Sequence, residues 1–126
     1  MVVLLAVAGA LLGAATASAE VRGVSVGRVS LAPGGVPIGV VRVVQRGATT
    51  APSRLTIRIG EWGGEFVGSY TEPACARRGT CRRTIPVAGF ASRAGAPVRL
   101  KPLTLYLVSA DAGPGRAPVL TAFVAA

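Results

Sequence analysis

Short runs in which apolar and polar positions alternate recur along the chain after Ala19, and clusters of glycine and proline separate them. In the clearest run, residues 54–59, leucine or isoleucine occupies every second position and arginine or threonine the positions between. A period of two residues places all apolar side chains on one face of a β-strand and all polar side chains on the other. The run therefore predicts a strand with one buried face and one solvated face.

The same criteria predict the rest of the fold. Further strands are predicted around Val24 and Val26 and over residues 36–45, 65–70, 82–87, 98–108 and 117–124. Turn-forming residues lie between them, over residues 32–35, 46–52, 60–64 and 111–115. About seven short strands with frequent turns predict an all-β domain built as a small antiparallel β-sandwich. A small antiparallel barrel is the alternative.

Residues 1–19 differ from the rest because they contain no charged side chain. An apolar run from Val2 to Leu12 is followed by small residues that end in Ala17-Ser18-Ala19, which is typical of a signal-peptidase site. A membrane-spanning helix needs about 20 apolar residues, and the strongly apolar part ends near Leu12. We therefore expect a cleaved signal peptide over residues 1–19 and one domain over residues 20–126, with no membrane span after cleavage. The product is expected to be secreted or extracytoplasmic, at the cell envelope.

The net charge of the chain and its lack of histidine exclude several classes of function. The chain has 14 Lys and Arg against 5 Asp and Glu, and its net charge is +9. Such a surface attracts anionic polymers and acidic proteins in a salt-dependent way. The chain has no histidine, which excludes Ser-His-Asp and Cys-His catalysis and imidazole zinc sites. No phosphate-binding glycine loop is present, and we expect neither a cofactor nor a metal.

The two cysteines form the most specific motif. Cys75 and Cys81 are six positions apart, which is not the spacing of a redox dithiol, and an exported protein favours a disulfide between them. Their Cα atoms must then lie about 4.4 to 6.8 Å apart, with Gly79 free to adopt a positive φ. The candidate contacts for an anion or a partner are the arginines in and beside this loop: Arg77, Arg78, Arg82 and Arg83.

A family resemblance rests on residues 31–47, 50–52 and 55–57, a Pro/Gly turn followed by a valine-rich strand, a second turn and an alternating strand. Over about residues 24–60 the chain resembles the immunoglobulin-like modules of bacterial exported proteins, the CARDB type in particular. Gln45-Arg46-Gly47 stands where an asparagine turn is usual. The resemblance implies an immunoglobulin-like sandwich and a non-catalytic extracellular module, and it assigns no functional residue.

The preferred hypothesis is a non-enzymatic, exported interaction or structural module whose partner is a protein or an anionic polymer of the cell envelope. One alternative is a secreted protease inhibitor that presents Arg77 or Arg78 to a trypsin-like S1 pocket. Another is a carboxylate-based glycoside hydrolase that uses Glu61 and Glu65 beside Trp62, or Glu72. The aromatic residues do not interleave with the arginine cluster, so no specific nucleic-acid partner is expected.

Overall fold

The computed structural model describes residues 19–49, 53–113 and 117–126. The predicted signal peptide, apart from Ala19, lies outside these residues, as do parts of two predicted loops. The described residues form nine strands and one short 3-10 turn. These are β1 (Glu20–Val26), β2 (Ser30–Ala32), β3 (Val36–Ile38), β4 (Val40–Gly47), β5 (Arg54–Glu61), β6 (Phe66–Pro73), β7 (Gly79–Pro86), the 3-10 turn Val87–Gly89, β8 (Leu105–Asp111) and β9 (Val119–Val124). The prediction of an all-β antiparallel sandwich is confirmed.

Two antiparallel sheets pack against each other. The first sheet has the order β1-β4-β7 and the second the order β6-β5-β8-β9, while β2 and β3 form a separate hairpin. The predicted turn at residues 32–35 joins that hairpin, with Gly34 and Gly35 at φ of 83° and 80°. Strands β6 and β7 are therefore edge strands, one in each sheet.

The core lies between the sheets and follows the period-two pattern. Val41 and Val43 of β4 face Leu55, Ile57 and Ile59 of β5, and all five are fully buried. Burial of each such side chain contributes about 1.5 to 3 kcal/mol relative to exposure. The alternating run at residues 54–59 thus points its apolar face inward, as predicted.

The strand order and one hydrogen bond are similar to those of immunoglobulin sandwiches. Without the β2–β3 hairpin, the strands follow the pairing of immunoglobulin sandwiches, in which strands A, B and E share one sheet and C, F and G the other. At the start of β8 the buried Tyr106 hydroxyl accepts a hydrogen bond from the Lys101 backbone N–H at 2.7 Å. A tyrosine at this strand start that bonds back to upstream backbone is the tyrosine corner of such sandwiches.

Two predicted strands differ most from the structure in their bounds. The run at residues 36–45 is divided at Gly39, where a Cβ atom would lie 2.9 Å from the Arg28 carbonyl oxygen, so the close chain crossing ends one strand and begins another. The strand predicted to begin near Val98 begins at Leu105. Pro102 cannot donate to a ladder, and Leu103 adopts a φ of 55°, which turns the chain.

Candidate anion-binding face

The loop between the two cysteines, called here the staple loop (residues 75–81), closes as predicted. Cys75 and Cys81 form a disulfide with their Cα atoms 6.4 Å apart. Gly79 has a φ of 97°, so the reversal uses the left-handed conformation that glycine adopts without steric cost. The predicted disulfide and the predicted role of Gly79 are both confirmed.

Strand β4 fixes the staple loop to one end of the first sheet. Gln45, which is only 1% exposed, lies in register with Cys81, and its Oε1 accepts a hydrogen bond from the Cys75 backbone N–H at 3.2 Å. The Ala48 N–H donates to the Cys75 carbonyl at 3.2 Å. A Cβ atom on Gly47 would meet the Cys75 sulfur and the Arg77 carbonyl. The loop therefore rests directly on this glycine.

Three of the four predicted arginines, Arg77, Arg82 and Arg83, line one cleft, but the four differ in orientation. Arg77 and Arg78 are exposed on the staple loop, whereas Arg82 and Arg83 follow each other on β7 and so point to opposite faces. Arg83 is in register with the buried Val43 and points toward the gap between the two sheets.

Arg83 forms a bridge between the two edge strands. Its Nε and Nη2 donate to the two carboxylate oxygens of Glu72 on β6 at 3.1 and 2.7 Å. This hydrogen-bonded pair raises the pKa of Arg83 above its ordinary value. A bidentate partner already neutralises this cation. Arg83 is therefore less available to an external anion than the other three arginines.

Arg82 lies on the outer face of the first sheet, where the structure brings it next to two arginines that sequence reasoning missed. It is in register with Val44, between Arg42 and Arg46 of β4, and all three arginines are exposed. We call Arg42, Arg46 and Arg82 the basic face. Strand geometry places Arg42 and Arg46 about 13 Å apart, with Arg82 about 8 Å from each.

Arg42 and Arg46 could have been found from the alternation of residues along β4, but the valines of this strand obscure that alternation. Val41, Val43 and Gln45 alternate with Arg42, Val44 and Arg46. Val40, Val41, Val43 and Val44 make the strand look almost continuously apolar, a pattern that favours burial of both faces. In the structure the first sheet is covered on one side only, so every second residue of β4 faces solvent.

Acidic side chains do little to neutralise the basic face. Strands β4 and β7 contain no Asp or Glu, and the chain has five carboxylate side chains against fourteen cations. Four carboxylates form ion pairs: Glu20 with Arg22, Asp111 with Arg58, Glu72 with Arg83 and Glu61 with Lys101. Glu20 of β1, in register with Arg46, is the acid at the margin of the face. Three arginines against this one carboxylate leave the face with a positive formal charge.

A cleft adjoins the basic face at the staple loop. This open cavity of about 530 Å³ has Gln45, Glu72, Arg77, Arg82 and Arg83 among its lining residues. Guanidinium groups bind carboxylate, phosphate and sulfate oxygens in pairs. In the part of the chain that the structure describes, no three His, Cys, Asp or Glu side chains form a metal-binding group. The arrangement can bind anions, and it lacks the histidine of a nucleophilic site.

The residues of the two alternative hypotheses lie elsewhere or are otherwise engaged. Glu61 forms an ion pair with Lys101, with Oε1 and Nζ 3.1 Å apart, and this pair raises the pKa of Lys101 above its ordinary value. Trp62 is 64% exposed on the turn between Glu61 and Glu65. The Arg77 carbonyl, which a protease would need to reach, packs toward Gly47. The hydrolase and the inhibitor remain predictions, and no contact in the structure favours either of them.

Comparisons with other proteins leave the site to be interpreted from its geometry. No protein-family model matches the chain, and no curated protein matches it either. Within the described residues, no helix has the length and apolar character needed to cross a membrane.

Proposed function

We propose that this chain is an exported, non-enzymatic immunoglobulin-like module of the cell envelope that holds an anionic polymer on its basic face. One observation carries the proposal: the fold places Arg82 between Arg42 and Arg46 on the outer face of two strands that contain no acid. Strand order and the Tyr106 hydrogen bond support the immunoglobulin-like assignment.

The geometry favours a polymer over a single small anion. An exposed ion pair contributes only about 0 to 1 kcal/mol, so one arginine does not retain a ligand. A row of cations over about 13 Å engages several groups of one extended chain at once. The exposed Arg77 and Arg78 lie in the loop just before β7, at the end of the face where Arg46 lies. Repeated sulfate, phosphate or carboxylate groups match this spacing better than an isolated ion does.

Rigidity adds to the binding. The basic face stands on two strands paired over eight residue positions, and the disulfide and Gln45 hold the adjoining loop. Groups that are fixed before binding lose little conformational entropy on binding. The disulfide and the predicted signal peptide together support a location outside the cytoplasm.

Retention on heparin, a soluble model polyanion, tests the proposal. The variant Arg42→Gln/Arg46→Gln/Arg82→Gln removes the basic face. The matched control Arg54→Gln/Arg93→Gln/Arg99→Gln removes three exposed arginines from outside β4 and β7, and so produces the same change in net charge. We expect the first variant to elute at clearly lower salt than the wild type and the control to elute close to it. Equal shifts in the two variants would show that only the net charge matters, which contradicts a site.

Two single substitutions test whether Arg82 contributes more than Arg83 to polyanion binding. Arg82→Gln is expected to weaken heparin retention more than Arg83→Gln does, because Glu72 already pairs with Arg83. A larger effect from Arg83→Gln would place the binding site in the cleft rather than on the outer face.

A further inference from the structure

The outer surface of the second sheet carries an apolar patch that neither the core nor the basic face explains. Six large apolar side chains are exposed among the described residues, and five of them lie together on or beside β8 and β9. These five are Trp62 (64% exposed), Leu103 (86%), Leu105 (39%), Leu120 (56%) and Val124 (53%). We call them the apolar patch. The sixth, Ile38 (57% exposed), lies on the separate β2–β3 hairpin.

Strand register makes the patch continuous. Leu105 of β8 pairs with Val124 of β9, and Ser109 pairs with Leu120, so these side chains share one outer face. The Trp62 N–H donates to the Leu105 carbonyl at 3.0 Å, which places the turn that carries the indole beside Leu105. The Leu103 N–H donates to the Ala125 carbonyl at 2.7 Å, which holds that leucine at the same end.

We infer that the apolar patch is a contact surface for a second copy of this chain, with the two outer sheet faces stacked on each other. Exposed contiguous apolar surface of this kind marks interaction sites in soluble proteins. Sheets stack face to face at about 10 Å, with their side chains interdigitated. A two-fold arrangement places the same patch on both sides of the interface.

The distribution of charge supports a second copy as the occupant. The ion pairs that border the patch, Arg58 with Asp111 at 3.4 Å and Lys101 with Glu61 at 3.1 Å, are each neutral as a pair. The basic face lies on the opposite side of the sandwich. In a stack of four sheets the two basic faces stand about 30 Å apart, three intersheet spacings, whereas the Debye length at physiological salt is about 8 Å. Two copies that meet at the apolar patch therefore keep their basic faces much farther apart than this length, so the repulsion between the two basic faces is small.

The area of the face indicates the strength of the association. Four strands about 4.8 Å apart and about 20 Å long present a face of roughly 400 Å². A stacked pair then buries roughly 800 Å² in total, which is below the range of stable interfaces and is typical of weak, transient association. We therefore expect a weak dimer, with a dissociation constant no tighter than the micromolar range. In the dimer the two basic faces point away from each other, so one dimer binds two polymer strands. This last consequence rests on the proposed function, whereas the dimer itself does not.

Two measurements on the protein purified after export test the dimer. Sedimentation equilibrium gives the dissociation constant. Trp62, the single tryptophan of the chain, reports burial of the patch through a concentration-dependent blue shift of its emission. Both measurements are expected to give the same midpoint. Association should strengthen from about 0.05 M to about 0.5 M NaCl, because salt screens the repulsion between positively charged copies. Heparin binding should weaken over the same range, so failure of one proposal is distinguishable from failure of the other.

Matched variants locate the interface. Leu103→Asn/Leu120→Thr/Val124→Thr removes apolar area with residues suited to the local backbone, since asparagine tolerates the positive φ at Leu103 and threonine favours strands. We expect it to raise the dissociation constant about tenfold or more, equivalent to about 1.4 kcal/mol. The control Ile38→Thr, at a residue of similar exposure, should leave the dissociation constant unchanged.

Three results would overturn the inference. These are a monomer at every concentration and salt, a dimer that the triple variant does not weaken, and a dimer that Ile38→Thr weakens equally. A fourth tests a lipid surface instead. If phosphatidylcholine vesicles containing phosphatidylglycerol shift the Trp62 emission while the protein stays monomeric, the patch binds lipid and not a second copy.

Discussion

Opening the Cys75–Cys81 disulfide tests how the staple loop contributes to stability. The bond closes a loop across a sequence separation of six residues. On the chain-entropy model, closure of so short a loop stabilises the folded state by about 2.4 kcal/mol at 25 °C. For a domain of this size, each kcal/mol corresponds to at least about 4 °C in Tm, so reduction should lower Tm by about 10 °C.

The reduced protein is expected to remain folded, because other contacts hold the loop. Gln45 Oε1 still accepts the hydrogen bond from the Cys75 N–H, Ala48 N–H still donates to the Cys75 carbonyl, and the β4–β7 ladder is unchanged. The main hydrophobic cluster between the sheets includes neither cysteine, although Cys81 is itself buried. Thermal unfolding followed by circular dichroism, with and without reductant, measures the difference.

The control is the double variant Cys75→Ala/Cys81→Ala, on which the reductant should have no effect. Adding Gln45→Leu to the oxidised protein removes the acceptor and leaves the Cys75 N–H unpaired, at a cost of about 1 to 3 kcal/mol. Complete unfolding on reduction would show that the loop organises the core. A change in Tm below about 2 °C would show that chain entropy does not describe this closure.

Three further predictions concern Tyr106, the staple loop and the predicted signal peptide. Tyr106→Phe leaves the Lys101 N–H without its acceptor and should cost about 1 to 3 kcal/mol in urea unfolding; a change within error would mean that the hydrogen bond is replaced by water. Gly47→Ala forces the staple loop away from β4, because its Cβ meets the Arg77 carbonyl, so hydrogen exchange in the loop should accelerate, and unchanged exchange would contradict the close contact. Mass spectrometry of the exported product should find Glu20 as its first residue; a product that retains residues 1–19 would refute signal-peptide cleavage.

The sequence predicted those parts of the fold that depend on a pattern within one short segment. The alternation at residues 54–59 located β5 and its buried face, and the Cys75–Cys81 spacing predicted the disulfide. The start of β8 was missed. The hydrogen bond from the Lys101 N–H to the Tyr106 hydroxyl and the positive φ of Leu103 end the preceding loop, and a run of alternating leucines does not reveal either of them.

The candidate site was harder to predict because it depends on pairing between strands. Nearness in sequence grouped Arg82 with Arg83, whereas alternation along β7 separates them and cross-strand register joins Arg82 to Arg42 and Arg46. Glu72 lies on the edge strand of the other sheet, so its pairing with Arg83 follows only from the packing of the two sheets. Sequence shows which residues are charged, while register decides which charges act together.

The salt dependence of polyanion binding tests the basic face most directly. Binding of a sulfated oligosaccharide is measured at several salt concentrations. The slope of log K against log salt reports the counterions released, and hence the number of arginine–sulfate contacts formed. By analogy with nucleic acids, each lost arginine contact reduces the slope by about 0.7 to 0.9. We expect Arg42→Gln/Arg46→Gln/Arg82→Gln to reduce the slope by roughly 2 to 3, with little change in the Arg54→Gln/Arg93→Gln/Arg99→Gln control. Equal slopes for the two variants would contradict a binding site on this face.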